Sequence, residues 1–102
     1  GLMYYNGNRV ERDFEHAVKL FTLAAEQGVA YAQLNLGAMY DNGQGVTQDN
    51  IYAHMWFNIA SSNGNSQATE NRDIIAERMT KEQIAEAQKL ARECVAKEYK
   101  DC

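Results

Sequence analysis

Proline is absent from this 102-residue chain, and cysteine and tryptophan are scarce, with two and one respectively. Missing proline, few β-branched runs, and plentiful Ala, Gln, Glu and Leu together point to helices. No apolar stretch approaches ~20 residues, which excludes a helical membrane span. No excess of basic charge exists either. Ten Lys and Arg against 14 Asp and Glu leave a net charge of −4 and a pI near 5.1. Without a basic cluster, nucleic acid and anionic membranes are not expected partners. Gly1 to Asn6 has neither a basic start nor an apolar core, so no secretory signal is expected. A first residue other than Met reads as a mature or trimmed fragment, and the compartment stays open between cytoplasm and a secreted or periplasmic location. Hydrophobic residues at 45% and charged residues at 24% are globular proportions, and the length fits one domain.

What the chain does contain is an internal repeat. Shifting residues 1–36 onto 37–72 pairs 13 identical residues in 36 positions without a gap. Among them are Gly1/Gly37, Tyr4/Tyr40, Gly7/Gly43, Asp13/Asp49, Ala17/Ala53, Phe21/Phe57, Gly28/Gly64, Ala32/Ala68 and Asn35/Asn71. Unrelated sequence of average composition would give about two. The identities fall where helical hairpins need them. Gly7 and Gly43 supply the positive φ at which one helix stops. Asp13 and Asp49 are placed to cap the next helix. That helix carries Ala17, Leu20, Phe21 and Ala24, repeated as Ala53, Trp56, Phe57 and Ala60, spaced as one buried face. Gly37 removes a side chain where a neighbour must come close.

Such a hairpin cannot bury its face alone and must stack on copies of itself. The expected division is a partial repeat at 1–36, a full repeat at 37–72, and a degenerate repeat with a capping helix at 73–102. Ser66 to Met79 can form a third helix of the first type. Thr80-Lys81-Glu82-Gln83 has the form of a capping box and opens a long helix to about Lys100. Its inward stripe is Ile84, Ala87, Ala91, Cys94 and Val95, and Glu93 four residues before Lys97 favours helix. Residues 70–102 hold 15 of the 24 charges, which suits an outer, closing helix. The fold class expected is all-α, an α/α superhelix or solenoid ending in a long capping helix.

The segments 32–40 and 42–46, with Asp49, Ala53 and Trp56-Phe57-Asn58-Ile59-Ala60, resemble the Sel1-like repeat, a relative of the tetratricopeptide repeat. Residues 79–88 resemble the helical tail closing many bacterial members. Arg9 departs from the pattern by replacing the second turn glycine. The resemblance implies a scaffold or adaptor that binds a protein or peptide partner without chemistry of its own. By analogy with tetratricopeptide repeats, the first helix of each unit lines a concave groove. The candidate partner-binding residues are Tyr5, Tyr31, Leu34, Asn35, Ala38, Asn42 and Asn71, with Asn6, Gln67 and Glu70 beside them. Asn35 and Asn71 either form an amide ladder for a bound backbone or bond an adjacent loop and hold the stack together. Cysteine-rich secreted members of the family bridge the pair onto which Cys94 and Cys102 fall when Ala87, Leu90 and Cys94 are laid on Ala17, Leu20 and Ala24. A continuous helix would instead hold the two ~12 Å apart, and Glu98 stands where a turn glycine belongs. Two free thiols are therefore favoured over a disulfide.

Catalytic chemistry is not expected, because no nucleophile with its base, metal cluster or phosphate loop can be assembled. His16 and His54 occupy different repeat positions and read as solvent-facing. Asn42-Gly43-Gln44-Gly45 follows a helix rather than a strand and lacks the lysine of a phosphate loop. No metal or cofactor is anticipated. The face bearing Phe14, Val18 and Phe21 lacks a complete preceding helix, so the N-terminal edge is a candidate homodimer surface. The alternative to a partner-binding module is a structural capping fragment of a longer solenoid that mainly self-associates.

Overall fold

The computed structural model describes the backbone from Gly7 and the side chains from Asp13 to Cys102. Five helices follow in order: α1 Gly7–Glu26, α2 Ala30–Asn42, α3 Asn50–Ser62, α4 Ser66–Ala76 and α5 Lys81–Ala96. No strand occurs among the described residues. The expectations for Tyr5 and Asn6 lie outside them.

Side-chain caps start three of these helices. Asp49 accepts from the backbone of Ile51 and Tyr52 at 2.9 and 3.1 Å and opens α3. Asn65 accepts from Ala68 at 2.8 Å and opens α4. Thr80 and Gln83 form the reciprocal capping box of α5. Each satisfies amides that the first helical turn leaves free. Gly43, at φ +67°, ends α2 and donates to the carbonyl of Met39. Gly45, at φ +75°, continues the turn, and its missing Cβ lets the loop lie on the backbone of Phe14.

Helix α3 is the hub. It packs against α2 on one side, α4 on another and α5 on a third. Five consecutive residues, Ala53 to Phe57, are accordingly buried, which no single-faced helix would show. One apolar cluster joins Met55, Trp56 and Ile59 to Ala25 of α1, Ala32 and Leu36 of α2, and Ala91 and Cys94 of α5. A second joins Ala53 and Phe57 to Ile75 of α4, with Leu34, Ala38 and Met79 packed over it. At Gly37 the α2 backbone comes so close that an added Cβ would stand 2.7 Å from two ring carbons of Phe57.

Several expectations are corrected. No turn separates Gly7 from Asp13 and Asp13 caps nothing, because α1 runs unbroken from Gly7 past Asp13. The second turn glycine is absent there: Gly45 has its left-handed φ, whereas its counterpart is Arg9, which favours helix. Leu20, expected inward, is 54% exposed, and Val95 is 49% exposed. The last helix stops at Ala96 rather than near Lys100. Glu98 and Tyr99 turn into left-handed conformation at φ +57° and +67°, a region costing a non-glycine residue about 1–2 kcal/mol. The chain doubles back, and Cys94 and Cys102 are joined by a disulfide with Cα atoms 5.5 Å apart. The preference for free thiols is thus overturned, because it assumed a helix that does not continue.

Two outcomes follow from this packing. Gly37→Ala gains helix propensity of about 1 kcal/mol but must displace the Phe57 ring, so a net loss of about 1–2 kcal/mol is expected in urea unfolding. A stabilised variant would show that α2 and α3 are not in close approach. Replacing both cysteines by serine removes a short closed loop and lowers stability by about 2–3 kcal/mol in the same assay. An unchanged midpoint would show that the bridge does not form.

Candidate functional site

Helices α2 and α4 flank α3 and touch one another only lightly, leaving a seam between them. Its floor is apolar, since Leu34, Ala38 and Met79 are half-buried over Phe57 and Ile75. Along α2, the stripe at helical spacing is Tyr31, Leu34, Asn35, Ala38 and Asn42. Tyr31 is 66% exposed, Asn42 exposed, and Leu34, Asn35 and Ala38 partly covered. Along α4 the corresponding stripe is Gln67, Asn71 and Ile74, and Ile74 is 59% exposed. An ion pair between Arg78 and Asp41 at 2.7 Å spans one end of the seam. Both members reach solvent, so it contributes at most about 1 kcal/mol.

The two asparagines do not tie the stack together through a neighbouring loop. Asn35 donates to the Tyr31 carbonyl at 2.8 Å, within its own helix. Asn71 accepts from Gln67 at 2.9 Å, also within one helix. No adjacent loop is bonded by either side chain. Sequence reasoning missed Ile74, although its spacing from Asn71 places it on the same stripe. It also missed a buried polar chain on the opposite side. Gln33, fully buried, donates to the Ala25 carbonyl of α1 at 3.1 Å and accepts from Asn63 at 2.9 Å. Asn63 in turn meets the Tyr99 hydroxyl at 3.3 Å. Lys100 donates to the Glu26 carbonyl at 3.4 Å. These bonds tie the disulfide-closed end of the chain to α1, α2 and α3 together.

His54 corrects another expectation, being 3% rather than freely exposed. Its shifted counterpart is Val18, an apolar core position, and that pairing was the available signal. The Nδ1 atom has no hydrogen-bond partner among the described residues. Nearby, Arg72 donates to Asn58 at 3.0 Å and to Asp73 at 3.2 Å. Burial first, and the Arg72 guanidinium second, push the His54 pKa below its ordinary value, with Asp73 opposing them. His16 is exposed as expected.

Among the described residues no group of His, Cys, Asp and Glu is arranged to hold a metal ion. No described helix is long and apolar enough to cross a membrane. Stacked helical hairpins with glycine turns and an exposed seam define an α/α repeat protein. The model of the Sel1 repeat family matches residues 1–29 and 30–65, and this chain belongs to that family. Sel1 repeats are generally protein–protein interaction modules and typically non-catalytic scaffolds. No curated protein matches the chain as a relative.

The His54 shift fixes a sign for pH dependence. With the folded pKa below the unfolded value of about 6.5, the unfolded chain binds the proton more readily. Stability is therefore full above about pH 6.5 and declines as pH falls below it, until the folded value is passed. Urea midpoints at about pH 7.5 and 5.5 should differ in the wild type and converge in His54→Gln. Equal slopes in both forms would exclude His54 as the source.

Proposed function

We propose that this chain is an adaptor module that holds an extended segment of a partner protein along the seam between α2 and α4. Tyr31 and Ile74 carry the reading: two large apolar side chains stand out into solvent on facing helices of the same seam. Exposed aromatic and aliphatic anchors supply most of the affinity in protein interfaces, while surrounding groups mainly exclude water. Leu34 and Ala38 offer an apolar floor between them, and Asn35, Asn42 and Asn71 offer amides to a peptide backbone. Along α2 the only charge is Asp41, which is paired with Arg78, so this wall fits an uncharged, partly apolar segment.

A second reading, self-association through the N-terminal edge, is favoured by one observation. Leu20 and Leu23 are 54% and 62% exposed on α1, whereas their shifted counterparts Trp56 and Ile59 are buried. A second copy laid on α1 would cover them. Light scattering separates the readings: a concentration-dependent dimer abolished by Leu20→Lys with Leu23→Lys supports self-association, and a monomer at all concentrations rejects it.

Partner binding is tested by selecting peptides from a displayed random library on the wild-type protein. Because both anchors are exposed, Tyr31→Ala with Ile74→Ala leaves the fold intact, as far-ultraviolet circular dichroism will verify. Selected peptides should lose at least about tenfold in affinity for the double variant, given ~2 kcal/mol for an anchor residue. Peptides that bind both forms equally would reject the seam.

A further inference from the structure

On the side of the molecule away from the seam, the disulfide-closed end of the chain borders a half-open pocket of about 230 Å3. Three aromatic residues line it, Tyr40 from α2, Trp56 from α3 and Tyr99 from the C-terminal turn, together with Leu36. Two carboxylate residues, Glu26 and Asp101, share the same lining. Neither carboxylate has an ion-pair partner among the described residues, where the salt bridges are Arg72–Asp73 and Arg78–Asp41. Glu26 is also the last residue of α1, so the negative dipole end of that helix lies at this part of the surface. Lys100 already places its ammonium there, on the Glu26 main-chain carbonyl rather than on a carboxylate. That end of α1 therefore seats a cation within the chain itself.

Aromatic faces attract cations through the ring quadrupole, and a pocket lined by aromatic residues and carboxylates favours a weakly hydrated, bulky cation over a small, strongly hydrated one. We infer that this cavity is a binding site for a small quaternary ammonium compound of the choline class. The volume lies below the ~300–1,000 Å3 typical of drug-sized ligands, which suits a head of this size. Trp56, the only tryptophan in the chain, lines the pocket, so its emission is a probe of binding there. The inference is independent of the seam between α2 and α4, because the two sites share no residue.

The test titrates the intact, oxidised protein with choline and with 3,3-dimethylbutanol, its uncharged carbon isostere, at constant ionic strength. Trp56 emission and calorimetry are both read, up to about 10 mM, where even a millimolar site fills. Choline should bind saturably and at least about fivefold more tightly than the isostere, and Glu26→Gln with Asp101→Asn should weaken choline by a similar factor. Both substituted side chains lack ion-pair partners among the described residues and are not core, so an unchanged urea midpoint will show that the fold is retained. Absence of saturable binding overturns the inference. So does equal affinity for the isostere, which would mean simple filling of an apolar space. An unweakened double variant overturns it as well, because the carboxylates would then play no part.

Discussion

Burial of α3 on three sides is the constraint from which the rest of the structure follows. A helix with apolar residues around most of its circumference can exist in water only if neighbours cover each face. Here α2, α4 and α5 supply those covers, and the closest approach occurs where Gly37 meets the Phe57 ring. The two apolar clusters are both built on α3, one through Met55, Trp56 and Ile59 and the other through Ala53 and Phe57. A helix hairpin repeated in sequence thus becomes a stack in space, with the α3 side chains interdigitating between successive elements. The seam between α2 and α4 is a by-product of this arrangement, since both helices pack on α3 and touch one another only lightly.

The C-terminal end is held by a different kind of force. Beyond Ala96 the chain has no further apolar helix to contribute, and it turns through residues in left-handed conformation. Three things offset that cost: the Cys94–Cys102 bridge, the bond between Tyr99 and Asn63, and the contact of Lys100 with the end of α1. Asn63 also holds the buried Gln33, whose amide reaches Ala25, so a polar chain runs from the last turn to the first described helix. A fully bonded buried amide of this kind fixes the relative placement of elements more sharply than apolar contact does. This tie also builds the aromatic cavity, because Tyr99 and Asp101 line it only while the turn is closed.

Much of this was legible in the sequence where one residue decides a local question. The Asp49 cap, the Thr80–Gln83 box and the turn at Gly43 depend on short-range geometry, and Gly37, though required by the Phe57 ring of α3, is marked by the repeat. They could be read because the repeat shift displayed each twice or because spacing alone defines the motif. Errors came where a long-range condition prevailed. The Gly7–Asp13 pair matched its counterpart in letters, yet a single glycine without its second could not stop α1. Glu98 is a poor residue for a left-handed turn, and only the tertiary tie to α1 and the disulfide explain its conformation. His54 is polar by composition but sits at a core position of the repeat. The exposure of Leu20 and Val95 reflects which faces lack a covering helix, a property of the ends of a stack that no local pattern encodes.

The chain belongs to the Sel1 repeat family, whose repeats are generally protein–protein interaction modules. The account stands on α3 as the element that every neighbour covers. Hydrogen exchange resolved by residue measures this directly, because amides in a helix buried on three sides open only when the whole domain unfolds. Amides of α3 from Ala53 to Ala60 should be the slowest in the chain, with opening free energies equal to the global stability from denaturant unfolding. Amides in α1 and α4, each covered on fewer sides, should exchange through smaller openings. Faster exchange in α3 than in α4 would contradict the architecture at its root.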